Sequence, residues 1–368
     1  MKKSIAKIIC GSVIIILSWS MSLAQENLKI EEYIFTIIKE LPATSVKDQS
    51  LTNTCWSFSV ISMLESELLR MGKDTFDLSE MYVVRHVYEE KAEKYVRMHG
   101  TINFAGGGFF HDVIQVLDSF GMVPDEIYTG LDKGEKNHNH TEMDDVLKGY
   151  MENIVSDRDN DFDTAWKDDF TDILDSCLGV LPREFTFRNK FYTPDMFASE
   201  LNLNTKDYVE ITSFNHHPFD QQFILEVPDN WAWGRFYNVP LDKLIEIMYY
   251  SIDMGYTIAW SADVSEKGFT WKKGIAVIPD SLEITQDLRQ EGFDNYATTD
   301  DHGMHITGTA IDNKGSKYFL VKNSWGSSGS PYNGYLYVSE PYVRYKTIAI
   351  MVNKNGIPGC IRQKLQID

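Results

Sequence analysis

Cysteine is scarce in this chain of 368 residues, with four in all at positions 10, 55, 177 and 360. No two of them have the short spacing of zinc ligands, which excludes a cysteine-built metal scaffold. Basic charge is also in deficit: 35 Lys and Arg stand against 54 Asp and Glu, for a formal charge of −19. A polyanion of this kind repels phosphate backbones and anionic lipid, so nucleic acid and membrane surfaces are excluded as partners. Internal repeats, low-complexity stretches and Pro/Gly/Ser linkers are missing as well, and the long apolar run is confined to the N-terminus. Nothing in this pattern calls for a metal or another cofactor.

That N-terminal run has the layout of a secretory signal. Lys2, Lys3 and Lys7 precede an apolar stretch from Ile8 to Trp19, followed by the small residues of Ser22-Leu23-Ala24. The stretch is short for a membrane span. Residues 1–24 are therefore expected to be removed, giving a mature chain 25–368 that is exported to the periplasm or the cell exterior and is not stably inserted in a membrane. Loss of Cys10 leaves three cysteines, and an odd number in an exported chain leaves at least one thiol unpaired. If Cys177 and Cys360 pair in an oxidising compartment, the free thiol is Cys55.

The remaining sequence reads as helices first and strands last, an α+β arrangement of two lobes. Phe58, Ile61, Leu64 and Leu68 recur at helical spacing up to Met71-Gly72, so Cys55 falls in the first turn of a helix with a buried face. A second helix follows Ser79 as its cap, and a third opens after Gly108 and closes at Gly121. The spacing divides the chain into a helical lobe over about 41–130, an acidic and mainly helical insertion over about 131–235, and a β-rich lobe over about 236–368. In the last part, a helix over Leu241–Met254 leads to a strand over Thr257–Ala262. The segments "HGMHITGTAIDNKGSKYFLVKNSWG" and "GYLYVSEPYVRYKTIAIMV" then read as short strands around an Asn313-Lys314-Gly315 turn.

A thiol at a helix N-terminus meets positive partial charge that favours its ionised form, and an imidazole from elsewhere in the chain can take its proton. Two candidates, His302 and His305, stand on one expected strand and face opposite sides, because their separation is odd on an element of period two. Asn323 in "VKNSWG" is a candidate acceptor to fix the tautomer of such a histidine, and Trp325 can shield that hydrogen bond from water. Gln49, on the loop ahead of the helix, and the backbone N–H of Cys55 are candidate donors to an oxyanion.

Gln49 six residues before Cys55-Trp56, Asp301-His302-Gly303, and Lys322-Asn323-Ser324-Trp325-Gly326 together resemble the papain-type cysteine peptidases. The separation of thiol and histidine (302 − 55 = 247) exceeds the roughly 130–150 of the papain and cathepsin pattern. With the segments "DLSEMYVV", "FNHHPFDQQFILEVPDNW" and "HGMHITG", it resembles the bleomycin hydrolase and aminopeptidase C branch, whose members carry a large helical insertion. The resemblance implies a papain-like two-lobe fold in which Cys55 is the nucleophile, His302 the general acid/base, Asn323 its orienting group and Gln49 part of the oxyanion hole. It implies that His302 rather than His305 is catalytic, since a small residue and then methionine follow it, and that Gly107-Gly108 form the loop approached by the substrate backbone. Peptides are the implied substrates. Relatives form hexameric rings, so the family implies a homo-oligomer by analogy.

Two features depart from that pattern. Asn53-Thr54 precedes Cys55 where relatives have a glycine, and asparagine is the residue that best tolerates positive φ in such a turn. In the aminopeptidase members a C-terminal arm enters the cleft and meets the substrate's free amine. Here only "IPGCIRQKLQID" follows the last expected strand, too short for that arm, which opens an endopeptidase alternative. A non-catalytic peptide-binding protein on the same fold, and another acyl transfer on the same residues, are the remaining alternatives. His138, His140 and Glu142, and separately His216-His217, imitate metal ligands but read as surface and as structural or cleft-lining residues. Trp231, Trp233, Tyr249 and Tyr250 read as core or pocket wall.

Overall fold

The structure, a computed structural model, describes residues 33–131, 134–156, 165–279 and 281–368. The expected signal over residues 1–24 lies outside the described residues. Residues Phe35–Asp368 cluster as one compact unit. Among the described residues no helix is long and apolar enough to cross a membrane.

The chain opens with strand β1 (Thr36–Glu40) and then builds a helical layer of α1 (Cys55–Arg70), α2 (Glu80–Arg97) and α3 (Phe110–Ser119). Helix α1 is buried almost throughout, so it forms the spine of the molecule rather than an amphipathic surface helix. Ser79 caps α2 by accepting from the Tyr82 N–H, as its position before the helix predicts. The insertion supplies α4 (Thr141–Ser156), α5 (Ala165–Leu178), the hairpin β2 (Phe185–Phe187) and β3 (Lys190–Tyr192), and α6 (Pro194–Leu201).

Strands β4 (Tyr208–Thr212), β5 (Gln221–Ile224) and β6 (Arg235–Asn238) follow, then α7 (Leu241–Asp253), β7 (Ile258–Ala262), β8 (Phe269–Thr270), β9 (Ile275–Ala276) and α8 (Gln286–Asp294). The chain ends with β10 (His302–Ile311), β11 (Lys317–Lys322), β12 (Tyr335–Ser339), α9 (Glu340–Lys346), β13 (Thr347–Asn353) and α10 (Gly359–Lys364). The main sheet runs in the order β5-β6-β4-β13-β7-β10-β11-β12-β9-β8, with β1 pairing β10. Trp260 of β7 sits at its centre, fully buried, with its indole N–H donating to Thr347 Oγ1 at 2.8 Å.

Two elements depart from the sequence reading. The acidic middle contains β4, which joins the main sheet beside β13 and so carries the β-rich lobe back into the segment read as helices and loops. Its pattern is broken by Glu210, buried at mid-strand and paired with His111 at 2.8 Å. The final segment, read as strands, contains α9, which Ser339 caps through the Tyr342 N–H with Pro341 in the first turn.

Helix α1 packs along β10, and Gly308 admits β1 against the other part of that strand: a Cβ there would lie 2.3 Å from the Lys39 carbonyl oxygen. Gly308→Ala is therefore expected to separate β1 from β10 and lower stability by about 1–3 kcal/mol, the usual cost of overpacking. Thermal or urea denaturation monitored by circular dichroism measures that loss.

Candidate active site

Cys55, a half-buried residue, is the first of α1, and its backbone lies against Gly303 at the start of β10. The approach depends on Gly303. A Cβ there would stand 3.1 Å from the Cys55 carbonyl oxygen and 2.9 Å from Ser59 Oγ. The backbone N–H groups of Gly303 and Trp56 favour the ionised form of the sulfur.

His302, the residue before Gly303, is buried, and its Nε2 lies 2.7 Å from Asn323 Oδ1. An amide oxygen only accepts, so the proton resides on Nε2 and Nδ1 is the basic nitrogen. The Trp325 ring stacks on the imidazole with centroids 4.6 Å apart, covering that hydrogen bond. Trp325 is in turn packed edge-on by Phe269 and Trp271.

The loop carrying Gln49 is tied to the same strand end. The Gln49 N–H donates to the Ser324 carbonyl at 2.9 Å, and Ser324 Oγ donates to Gln49 Oε1 at 2.7 Å. Gln49 Nε2 donates one hydrogen to the Thr52 carbonyl at 2.9 Å, leaving its second N–H. The Cys55 N–H, at the first position of α1, has no acceptor within the helix. Asn53 is absent from the positive-φ residues, so the turn before Cys55 needs no left-handed backbone there; Ser50 takes that conformation instead, with φ of 52°.

The glycine loop is held from behind. Trp56 Nε1 donates to the Gly106 carbonyl at 3.1 Å, and Lys91 Nζ to the carbonyls of Ala105, at 2.7 Å, and Gly107. A Cβ on Gly107 would lie 2.2 Å from Asp229 Oδ2, and one on Gly108 would lie 2.8 Å from the Trp56 ring. These glycines thus admit a carboxylate and an indole of the protein itself.

His305 is separated from this chemistry. It faces α1, with Nδ1 2.9 Å from Ser62 Oγ, which also accepts from Lys322 Nζ at 2.7 Å. Lys322 belongs to a buried polar cluster in which Thr44 Oγ1 and the Leu78 N–H donate to Glu65 and Lys47 pairs with Glu80 at 2.9 Å. A void of about 20 Å³ among these groups has room for about one water.

Burial pushes the Cys55 thiol up to about 12, against the two N–H donors, with Asp300 and Asp229 adding to the rise. Burial also pulls His302 down to about 4, against the hydrogen bond it donates to Asn323. The resting pair is therefore thiol and neutral imidazole. Asp300, whose Oδ1 accepts from Ser261 Oγ at 2.6 Å, is raised to about 7 by burial and by repulsion from Asp229 and Asp301. Asp229 is raised by burial, against Lys91 and its bond from Asn103 Nδ2 at 3.0 Å.

The cysteines at 177 and 360 are unpaired, one partly buried and one exposed, so of the two alternatives the unpaired one holds. His216 and His217 both reach Glu226, at 3.1 and 2.8 Å, and these three are the described cluster of metal-ligand type. Gln290 Nε2 lies 2.9 Å from His216 Nδ1 and 2.8 Å from Asp294 Oδ1. The amide donor holds the His216 proton on Nε2, the nitrogen a metal would need, which opposes ligation. His138 and His140 contact each other edge-on, and burial holds both below the usual histidine range. Trp231 is buried with its indole on Asp112, whereas Trp233 is 46% exposed under Lys94.

Of the residues selected from the sequence, His302 meets Asn323 and Trp325, Gln49 meets Ser324, Gly108 lies against the Trp56 ring, and Gly303 brings the start of β10 to Cys55; Gly107 lies against Asp229. The sequence reading missed Asp300, Asp229 and Ser324. The doubled Asp300-Asp301 ahead of His302 was a visible signal for the first of these.

A cysteine at the first position of a buried helix, beside a strand whose histidine is bonded to an asparagine side chain, accords with the papain-like cysteine peptidases. The profile of the Peptidase C1-like family matches residues 15–368. The chain belongs to this family and is a cysteine peptidase. Aminopeptidase C of Lactobacillus helveticus is 19% identical to it, over 91% of this chain and 85% of the relative. Aminopeptidase E of the same organism is 20% identical, over 86% and 82%. Among solved structures, PepW from Lactobacillus rhamnosis HN001 has a TM-score of 0.73 at 19% identity, covering 90% of this chain and 84% of that one, and shares the fold.

Because His302 is depressed in the folded state relative to about 6.5 unfolded, the unfolded chain binds more protons between those values. This group's contribution to stability is complete above about pH 6.5 and is lost as pH falls toward 4. The His302 ring signal in NMR titration is expected to move near pH 4, and Trp325→Ala is expected to shift that midpoint upward by admitting water.

Proposed function

We propose that the protein hydrolyses peptide bonds through a Cys55–His302–Asn323 thiol acyl-enzyme mechanism. The observation that carries this reading is the 2.7 Å contact of His302 Nε2 with Asn323 beneath the Trp325 ring, one residue from Gly303, where a Cβ would stand 3.1 Å from the Cys55 carbonyl oxygen. As a peptide carbonyl enters, Nδ1 of His302 takes the thiol proton and the sulfur attacks the carbonyl carbon. Neither ion is stable alone in this buried site, so proton transfer produces them as a pair, each offsetting the burial cost of the other. The oxyanion accepts from the Cys55 N–H and the second Nε2 hydrogen of Gln49. Imidazolium His302 then protonates the leaving amine, and water, deprotonated by His302, releases the acyl group.

Relatives named aminopeptidase C and aminopeptidase E support action at the N-terminal end of peptides. A second reading, cleavage within peptides, is favoured by the course of the C-terminus. Ala262 pairs with both His302 and Thr347, so the cleft lies at the start of β13. The chain leaves β13 at Asn353, about 20 Å farther along. Helix α10 then packs into the β-lobe core, Lys364 pairs with Asp220 at 2.6 Å, and Asp368 lies near Tyr237 of β6. Strand β6 is four strands from β10, about 19 Å across the sheet. This course of the residues after β13, away from the start of that strand, supports the second reading. Export to the periplasm or the cell exterior is part of the same proposal and rests on the signal pattern alone; a homo-oligomer rests on family analogy.

A thiol-directed epoxide is expected to label Cys55, with both labelling and peptide turnover abolished in Cys55→Ala. Asn323→Ala is expected to lower kcat about 10²–10³-fold through loss of imidazole orientation. Absence of labelling and of turnover on any peptide in the wild type would make the chain a non-catalytic binder.

A further inference from the structure

Two carboxylates flank the nucleophile without a cation committed to them. Asp300 stands two residues ahead of His302 and is fixed by Ser261, which pairs in register with Gly303, the residue whose N–H favours the ionised form of the Cys55 sulfur. Asp229 comes from the other side of the cleft, after β5, and lies against Gly107, where even a methyl group would collide with it. Both act electrostatically on Cys55 and on each other. Asp301, next to Asp300, adds a third negative charge, although its oxygens accept from Thr299 Oγ1 at 2.6 Å and the Val264 N–H at 3.3 Å.

The available positive charge is directed elsewhere. Lys91, which offsets Asp229, is buried and donates to the Ala105 and Gly107 carbonyls. Among the described residues no Lys or Arg forms an ion pair with Asp300 or Asp229, and His302 is neutral. Asp300 and Asp229 are half-buried, and a cation entering between them relieves the repulsion of two like charges that have no counter-ion. They also oppose formation of the thiolate, so neutralising them favours the reactive ion pair. In a peptidase, what passes this point is the substrate, and the atoms nearest the attacked carbonyl are the α-carbon and its nitrogen.

We propose that Asp300 and Asp229 receive the α-ammonium group of the substrate's N-terminal residue, so that side-chain carboxylates confer N-terminal selectivity in place of a C-terminal carboxylate. This rests on the peptidase reading above and decides between its two forms. The occupied site accepts a free α-amine as a salt-bridged, hydrogen-bonded cation and rejects an acylated one, which would leave both carboxylates half-buried beside an uncharged amide. A lysine or arginine side chain one residue upstream offers the same chemistry from another source, and the test separates the two.

The test compares kcat/KM for an alanyl fluorogenic amide, its N-acetyl counterpart, the isosteric lactyl amide in which hydroxyl replaces ammonium, and N-acetyl-lysyl-alanyl and N-acetyl-alanyl-alanyl amides. The wild type is expected to favour the free amine over the acetylated and lactyl compounds by about 100-fold. In Asp300→Asn and Asp229→Asn the free-amine advantage is expected to shrink about tenfold each, through KM. Epoxide labelling of Cys55 reports whether each variant keeps a folded site, and the lactyl comparison needs no variant at all. Equal turnover of free and blocked substrates, or an advantage that survives both substitutions, overturns the proposal while leaving the peptidase reading intact. Preference for the N-acetyl-lysyl substrate overturns it in favour of a side-chain cation. Absence of turnover and of labelling in the wild type removes the peptidase reading itself.

Discussion

The contact between the first turn of α1 and the first residues of β10 is the constraint on which the rest of this molecule depends. Gly303 has no Cβ to hold helix and strand apart, so β10 comes within 3.1 Å of the Cys55 backbone while the neighbouring His302 is held by Asn323 and Trp325. The buried cluster of Lys47, Glu65, Glu80 and Lys322 lies farther along the same helix–strand seam. Its paired and hydrogen-bonded charges fix the seam's register. Helix α1 and strand β10 are separated by residues 71–301 in the chain and meet through tertiary packing.

That arrangement sets the electrostatics. Depth of burial, not the helix end, dominates the resting state of the thiol, because desolvation outweighs the donated N–H groups. The site therefore stays neutral until a substrate arrives to change its surroundings. Nearby carboxylates deepen that resting neutrality, and a cationic ligand reverses their effect. Selectivity and activation are in this way properties of the same charges.

Much of this was legible in the residues. The Cys55-Trp56 helix start, the parity of His302 and His305, and the Asn323–Trp325 shield all follow from spacing and element type, and the geometry agrees. What escaped did so for physical reasons. Strand β4 was hidden because Glu210 interrupts its apolar pattern, and only a distant His111 makes that burial tolerable. Helix α9 was hidden among strands although Ser339 and Pro341 marked its start. Asp229 is near the thiol through tertiary packing alone, a relation no local pattern records. The asparagine at position 53 was expected to carry a strained turn, which the chain relocates to Ser50.

The course of the chain end has a practical side. Because Ile361, Leu365 and Ile367 pack into the β-lobe core while Asp368 itself remains exposed, the terminus is anchored yet accessible, several strands from the cleft. Such an end is a natural handle: a fusion partner, an affinity tag or a surface tether joined there leaves the mouth of the cleft unobstructed.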